Sequence, residues 1–232
     1  MTDLFGADLP AGERIVYDSY YTPAPIARAI VEWLRIPPRW AVWEPHAGSG
    51  SFVDALRAVG HVGDIIATDV NPESRCCSVG IPGARCWRAD ALEVAHRLRD
   101  PSWPTWDKHA PSVADDIRAR AAMFPQHPII LGNPPYVNGT EHVEALIATG
   151  RPVALLLRST FLGSDERSDL LRRHPPAHVW RFVDRIQFGG TAGGDSVQHE
   201  LVIWLPGHVG EARFALVRPG WPPPTPPAWS RL

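Results

Sequence analysis

Several features that would place the chain in a specialised class of protein are absent from its 232 residues. The cysteines, Cys76, Cys77 and Cys86, are few and odd in number, which argues against a disulfide framework and favours reduced thiols. No HExxH or CxxC spacing accompanies the ten histidines, so we predict no metal site. No apolar stretch approaches the roughly 20 residues of a membrane-spanning helix, and residues 1–10 carry no signal-peptide pattern. These absences predict a soluble, cytoplasmic protein without membrane contact.

An excess of either charge is also absent from the sequence. The net charge of −2 offers no general attraction to a polyanion, which argues against a protein that coats nucleic acid, although a local basic cleft is compatible with it. Lysine is nearly missing, because Lys108 stands alone among 23 basic residues. We interpret the preference for arginine as compositional bias and not as an RNA-binding signal.

What the sequence does contain is an alternation of short apolar runs and helical stretches from residue 41 onward. The candidate strands are residues 41–45, 63–69, 84–89, 127–132, 152–158, 178–184 and 199–205. The candidate helices are residues 50–59, 71–79, 91–99, 140–149 and 164–173. An earlier helix is expected in "YTPAPIARAIVEWL", with Thr22 as its cap and Pro23 in its first turn. This order predicts an α/β fold with a doubly wound, mostly parallel sheet of seven strands, whose functional loops lie at the carboxyl ends of the strands.

Two segments depart from the alternation. Residues 100–126 form an insertion longer than a usual connection, with a short helix expected at 112–122, and such loops are often functional. Residues 219–232 are too rich in proline for a helix or a strand, and we expect them to run extended over the surface. The sequence therefore predicts one domain over residues 1–218, insertion included, followed by a proline-rich tail.

A glycine turn and three acidic residues occupy the predicted ends of neighbouring strands. Gly48 and Gly50 in "EPHAGSGSF" would let the backbone turn tightly at a helix N-terminus, although such a turn alone is more often structural than ligand-binding. Glu44, Asp69 and Asp90 end the first three strands, and each taken singly is typical of a helix cap or a solvated strand end. Together they would repel a pyrophosphate but tolerate a sulfonium and an ammonium group. They therefore favour S-adenosylmethionine over a dinucleotide.

The segment "LGNPPYVN" follows the fourth predicted strand and combines an amide, two prolines and an aromatic ring. The Asn133 side-chain oxygen and the Pro134 carbonyl, held by proline-restricted torsions, could each accept one hydrogen of an exocyclic amino group on a nucleobase. Those two bonds would localise the nitrogen lone pair for attack on a methyl group. Tyr136 would stack on the extruded base. The alternative is a proline-stiffened turn, which is common after strands.

With these motifs, the sequence resembles the class I S-adenosylmethionine-dependent amino-methyltransferases, and more narrowly the DNA adenine-N6 methyltransferases of the small phage type. "YYTP" is similar to their motif X, "EPHAGSG" to motif I, "TDVNP" to motif II, "RAD" to motif III and "GNPPY" to motif IV, in an order similar to the gamma arrangement. The resemblance covers roughly residues 17–205. It implies a Rossmann-like sheet, S-adenosylmethionine as cofactor, and site-specific methyl transfer to N6 of adenine in DNA, as in restriction-modification.

The resemblance also implies a role for each matched residue. The cofactor would be bound by Tyr21, Thr22, Pro23, Glu44, His46, Gly48, Gly50, Asp69, Val70, Asp90, Ala91 and Asn133. The catalytic pocket would be formed by Asn133, Pro134, Pro135 and Tyr136. Phe188, in "DRIQFGG", would provide a second face for the target base, although a phenylalanine after a strand is more often core packing. His46 departs from the small or polar residue common in such families, and it either touches the cofactor or covers the turn.

The source of specificity and the substrate class stay open. The strands after Tyr136 leave no room for a large target-recognition domain. We therefore expect specificity to come from residues 100–126, from the loop at 186–198 or from a partner subunit, or else to be loose. The alternatives to DNA are an RNA methyltransferase acting on guanine N2 or adenine N6, a protein-glutamine methyltransferase, and a non-catalytic binding subunit. The "YYTP" segment favours DNA adenine, because protein-glutamine enzymes usually carry a separate helical N-terminal domain.

Overall fold

The computed structural model describes residues 20–99, 128–188 and 197–229. The predicted insertion and its helix at 112–122 lie outside these ranges, as does most of the loop at 186–198. Among the described helices, none is long and apolar enough to cross a membrane. The same residues contain no group of three or more histidine, cysteine or acidic side chains placed to hold a metal ion. All three cysteines are free thiols.

One mixed sheet forms the centre of the molecule. Its strands are β1 (Val42–Glu44), β2 (Ile65–Asp69), β3 (Arg85–Arg88), β4 (Ile129–Gly132), β5 (Val153–Arg158), β6 (His178–Phe182), β7 (His199–Trp204) and β8 (Arg213–Val217). Their spatial order is β3-β2-β1-β4-β5-β7-β6-β8, and all pairings are parallel except the two made by β7. The carboxyl ends of β1 to β5 therefore meet at one edge of the sheet, where the predicted site residues follow the strands.

Helices cover both faces of this sheet. They are α1 (Ala24–Leu34), α2 (Ser51–Ala58), α3 (Arg75–Ser78), α4 (Ala91–Arg99), α5 (Gly139–Ala148) and α6 (Ser168–Arg173). One buried cluster joins side chains of α1 and α2, such as Ile30 and Phe52, to one face of the strands. A second cluster joins α4, α5 and α6, through Val94, Val143 and Leu170, to the opposite face. The predicted α/β fold with a doubly wound, mostly parallel sheet is confirmed.

The predicted number of strands is wrong, because the sheet has eight strands and not seven. The missed strand, β8, pairs in parallel with β6 at the edge of the sheet. Phe214 and Leu216 on one side of β8 are 58% and 57% exposed, whereas Val217 is buried. An edge strand with exposed apolar side chains and a charged first residue lacks the buried run that identified the other strands.

The start of α1 also differs from the prediction. Pro23 is the N-cap residue and not part of the first turn, and no side chain caps the helix. The Thr22 hydroxyl instead accepts a hydrogen bond from the Asn133 amide at 3.3 Å. Thr22, which we expected to cap α1, therefore binds the loop after β4 instead.

Two predicted helices are shorter than expected. The stretch at 71–79 is helical only over α3, because the Asn71 side chain accepts the Glu73 amide hydrogen in a turn at 2.9 Å and Ser74 caps the helix that follows. In the stretch at 164–173, a 3-10 turn precedes α6.

The proline-rich tail forms neither a helix nor a β-strand before residue 229, and most of it is exposed. Its described end is nevertheless fixed to the domain. The Trp229 ring is 5% exposed, and its indole N–H donates to the Leu34 carbonyl at 2.7 Å. This bond satisfies one of the free carbonyls at the C-terminus of α1.

Candidate active site

The glycine turn between β1 and α2 is held in a conformation that favours glycine. Gly48 and Gly50 have φ values of 49° and 79°. A Cβ on Gly48 would lie 2.7 Å from the Tyr21 ring, and one on Gly50 would lie 2.6 Å from the Ile81 side chain. The backbone therefore turns here with neighbouring side chains packed directly against it.

Gly48→Ala should destabilise the protein more than the same change at Gly60. Both positions have positive φ, which costs about 1–2 kcal/mol for alanine. Nothing lies within 4 Å of a Cβ on Gly60, whereas the Gly48 variant must also displace Tyr21, and such overpacking typically costs about 1–3 kcal/mol. Urea unfolding of both variants checks this expectation. Equal losses in the free energy of unfolding would mean that Tyr21 moves aside without an energetic penalty.

Glu44, at the end of β1, is the most deeply buried of the three predicted acids. The residue is 2% exposed, and its Oε2 atom has no hydrogen-bond partner in the part of the chain that the structure describes. Burial raises the pKa of the Glu44 carboxyl well above its usual value, and the negative charge of Asp69 adds to this rise. Glu44 is thus a buried carboxyl with no compensating cation among the described residues.

Asp69 and Asp90 have local partners at the ends of β2 and β3. Asp69 accepts from the Gly48 amide at 2.6 Å and from the Asn71 amide at 2.8 Å, so it holds the glycine turn, and its partial burial raises its pKa. Asp90 is exposed and accepts from the Leu92 amide at 2.8 Å, which caps α4. Both acids therefore have local structural roles, Asp69 in the glycine turn and Asp90 as a helix cap. Each carboxylate still has further acceptor capacity.

A narrow pocket brings half of the predicted cofactor residues together. Its wall includes Tyr21, Thr22, Glu44, His46, Gly48 and Asn133. The predicted residues outside this wall are Pro23, Gly50, Asp69, Val70, Asp90 and Ala91. Five further wall residues were not predicted from the sequence, although each lies within or beside a predicted motif: Tyr20, Ala47, Ser49, Ser51 and Phe52.

Asn133 is oriented by the segment that precedes α1. Its amide nitrogen donates to the Tyr20 carbonyl at 3.0 Å and to the Thr22 hydroxyl at 3.3 Å. Since a carbonyl can only accept, the nitrogen must face Tyr20, and the side-chain oxygen must face the other way. That oxygen is buried and has no hydrogen-bond partner within residues 20–99, 128–188 and 197–229. The fold therefore presents an acceptor at the pocket with its orientation fixed.

Tyr136 lies in a cluster of aromatic and basic side chains. The Arg158 guanidinium lies 3.7 Å from its ring centroid, and the Tyr20 ring lies at 4.8 Å with a tilt of 38°. Its hydroxyl is 3.0 Å from His199 Nε2. Phe188, which we predicted to provide a second face for the target base, is 3% exposed. Its ring centroid lies 4.8 Å from that of His199 and 6.2 Å from that of Tyr20.

Arg158 and His199 were not predicted from the sequence to lie beside Tyr136. They are register partners at the end of the β5 and β7 pair. In the sequence, Arg158 ends one predicted strand and His199 begins another. Their proximity could not be predicted from this, because it depends on the pairing of β7 with β5.

His46 pairs with a histidine that belongs to none of the predicted motifs. Its Nε2 lies 3.0 Å from Nδ1 of His142 on α5, and the two rings meet edge to face. His46 Nδ1 is buried and has no hydrogen-bond partner among the residues that the structure describes. Burial lowers the pKa of both histidines, and the proximity of His142 lowers that of His46 further. Both rings are therefore neutral near pH 7.

Solved structures of similar fold support the architecture. A modification subunit of a proposed type I restriction enzyme from Vibrio vulnificus YJ016 is 16% identical, with a TM-score of 0.52 over 84% of this chain and 45% of that chain. A proposed RNA methyltransferase from Pyrococcus horikoshii is 11% identical, with a TM-score of 0.53 over 84% and 90%. A proposed class I S-adenosylmethionine-dependent methyltransferase from Listeria monocytogenes is 10% identical, with a TM-score of 0.53 over 89% and 68%.

These comparisons define the class of the fold, which is that of the Rossmann-like class I methyltransferases. The chain spans less than half the length of the modification subunit that it matches. No protein-family model matches the sequence, and no curated protein matches it either.

Proposed function

We propose that the protein transfers a methyl group from S-adenosylmethionine to an exocyclic amino group of a nucleobase, with N6 of adenine in DNA as the substrate. The observation that carries this proposal is the orientation of Asn133. Its nitrogen is engaged by Tyr20 and Thr22, and its oxygen is left as an unpartnered, buried acceptor at the pocket. An amino group with two hydrogens is the complementary ligand.

The chemistry of the pocket fits the cofactor. Glu44 Oε2, His46 Nδ1 and Asn133 Oδ1 are buried atoms without partners, and all three residues line one pocket. Such a wall complements a cation that carries N–H donors, whereas a pyrophosphate would meet the Glu44 carboxyl. When bound, S-adenosylmethionine supplies an electrophilic methyl group on a sulfonium. Glu44, His46, Tyr21 and Thr22 would hold its amino-acid part, Asp69 its ribose and Asp90 its adenine.

The residues after β4 would then act on the target amine. Asn133 Oδ1 and the Pro134 carbonyl would each accept one amine hydrogen, which turns the nitrogen lone pair toward the methyl carbon and stabilises the positive charge that develops. The extra proton leaves to water after transfer. Tyr136 would stack on the base, and the base would have to displace either Arg158 or Tyr20 from the ring.

The choice of DNA adenine rests on the resemblance of "YYTP" and "GNPPY" to the adenine-N6 enzymes. The similar folds include one modification subunit and one proposed RNA methyltransferase, so they do not separate DNA from RNA. A partner subunit that supplies sequence recognition is part of the proposal, because a modification subunit of a type I enzyme is among the similar structures.

The test is mass analysis of nucleosides after incubation with isotopically labelled cofactor. Unmethylated DNA and unmodified RNA are the two substrates, and the Asn133→Ala protein purified in parallel controls for a contaminating host enzyme. Labelled N6-methyladenine in DNA, absent with the variant, is the expected result. Label confined to guanine, to RNA or to protein would overturn the assignment. A wild-type protein that releases no heat with S-adenosylmethionine in calorimetry would favour a non-catalytic binding subunit.

A further inference from the structure

The pair formed by His46 and His142 connects two segments that the proposed reaction must bring together. His46 belongs to the glycine turn after β1, and His142 belongs to α5, the helix that follows the Asn133 loop. His46 Nδ1 lies 3.8 Å from the position of a Cβ on Gly132, immediately before Asn133. The nitrogen is therefore adjacent to the strand end that carries Asn133, and His46 is one of the residues that line the pocket.

The hydrogen-bond pattern decides which nitrogen of His46 carries the proton. One hydrogen must lie between His46 Nε2 and His142 Nδ1. If His46 carried its proton on Nδ1, a buried N–H donor would be left unpaired, and orphaned buried N–H groups are rare in native structures. With the proton on Nε2, the pair is satisfied and Nδ1 becomes a buried acceptor. The tautomer of His46 with its proton on Nε2 is therefore favoured.

A second unpartnered acceptor among the residues of the same pocket indicates which ligand group this site favours. Glu44 Oε2 lines the same pocket, and its carboxyl becomes anionic when a cation is present. A carboxylate ligand would face both Glu44 and a nitrogen lone pair, whereas an ammonium group can donate to both atoms. The two acceptors thus select the ammonium and not the carboxylate of an amino acid.

On these grounds we infer that His46 Nδ1 and Glu44 bind the α-ammonium group of S-adenosylmethionine, and that His142 is a positioning residue that fixes the tautomer of His46. The inference rests on the proposed function and assigns a ligand group to a histidine that departs from the related families. The charged groups that face the pair are Asp90 and Glu141, which act on His142.

The test compares two substitutions of His142 in the full-length chain. His142→Leu removes the acceptor and should weaken S-adenosylmethionine binding about tenfold, as expected for the loss of a hydrogen bond to a charged group, with kcat at saturating cofactor little changed. His142→Asn offers an amide oxygen in the place of Nδ1 and should restore most of the affinity. Glu144→Gln, on the exposed side of the same helix, is the matched control.

Two analogues identify the ligand group. Decarboxylated S-adenosylmethionine retains the ammonium and should lose as much affinity as the cofactor on His142→Leu. Methylthioadenosine lacks the whole amino acid and should bind both proteins equally. A decarboxylated analogue that is insensitive to the substitution would overturn the inference, as would sensitivity of methylthioadenosine.

Nitrogen-15 NMR of labelled histidine provides a readout that a change in packing alone would not produce. His46 should show an unprotonated Nδ1 in the wild type, and this resonance should shift upfield when decarboxylated S-adenosylmethionine is added. A protonated Nδ1 would contradict the inference. A wild-type protein that binds none of these compounds would instead refute the proposed function itself, so the two failures are distinguishable.

Discussion

Asn133→Ala is expected to lower kcat about 10²–10³-fold, which is the typical cost of removing one donor or acceptor that acts on developing charge. The physical reason is the unpartnered Asn133 oxygen, because alanine leaves the target amine with one acceptor, the Pro134 carbonyl. Binding of S-adenosylmethionine should weaken only a few-fold, since the variant also loses the amide bonds to Tyr20 and Thr22. Single-turnover kinetics and calorimetry measure the two effects separately.

Thr22→Val is the control for that indirect loss. It removes the hydroxyl acceptor but leaves the stronger bond from the Asn133 amide to the Tyr20 carbonyl. We expect its kcat to stay within about fivefold of the wild type, because a neutral hydrogen bond contributes only about 1 kcal/mol. If the alanine variant at position 133 loses cofactor affinity and turnover to the same degree, the division of roles between Asn133 and the pocket wall is wrong.

Glu44→Gln is expected to have opposite effects on binding and on stability. Glutamine keeps the size of the side chain but cannot become anionic, so affinity for S-adenosylmethionine should fall about tenfold to hundredfold, the range for losing a charge-assisted hydrogen bond. The unliganded protein should become more stable at neutral pH, because the buried carboxyl has no compensating cation. Calorimetry and thermal unfolding check the two parts. Asp64→Asn, at an exposed acid paired with Arg85, should change neither by much.

The pH dependence of the same residue gives an independent check. Burial raises the pKa of Glu44 in the folded state above its unfolded value of about 4.5, so the folded protein binds more protons between those two pKa values. The contribution of Glu44 to the free energy of unfolding is therefore most favourable below about pH 4.5 and is lost as the pH rises through the folded pKa. The unfolding free energy of Glu44→Gln should lack this pH dependence.

Cofactor binding should accordingly expel a proton from Glu44. The apparent enthalpy in calorimetry should depend on the ionisation enthalpy of the buffer, and affinity should rise with pH until the free protein is already ionised at this position. Over the pH range in which affinity still rises with pH, enthalpies that are the same in phosphate and in Tris would contradict the expected release of a proton from Glu44.

The extent to which the sequence predicted the structure depends on burial. Strands β4 and β5 lie within two residues of their predicted bounds, because their apolar runs are buried on both faces and are bounded by proline or glycine. The edge strand β8 has no such run, since Phe214 and Leu216 face outward. The pattern of a single segment records burial and cannot record which neighbour a strand pairs with.

The candidate site was predictable where it depends on topology. Parallel strands end at one edge, so Glu44 and Asn133 could be expected near each other from their positions after β1 and β4. Contacts made by packing were not predictable. Asn133 is 113 residues from Tyr20, and His46 is 96 residues from His142. No local period or motif encodes these separations.

The position of β7 has a consequence for the order in which the chain can fold. β7 pairs with β5 on one side and with β6 on the other, although β6 precedes it in the sequence. During synthesis, β5 therefore keeps an open edge and β6 has no link to the rest of the sheet until His199–Trp204 has left the ribosome. Because unpaired edges promote intermolecular association, ribosomes that stall before this strand should yield aggregation-prone chains that depend on chaperones.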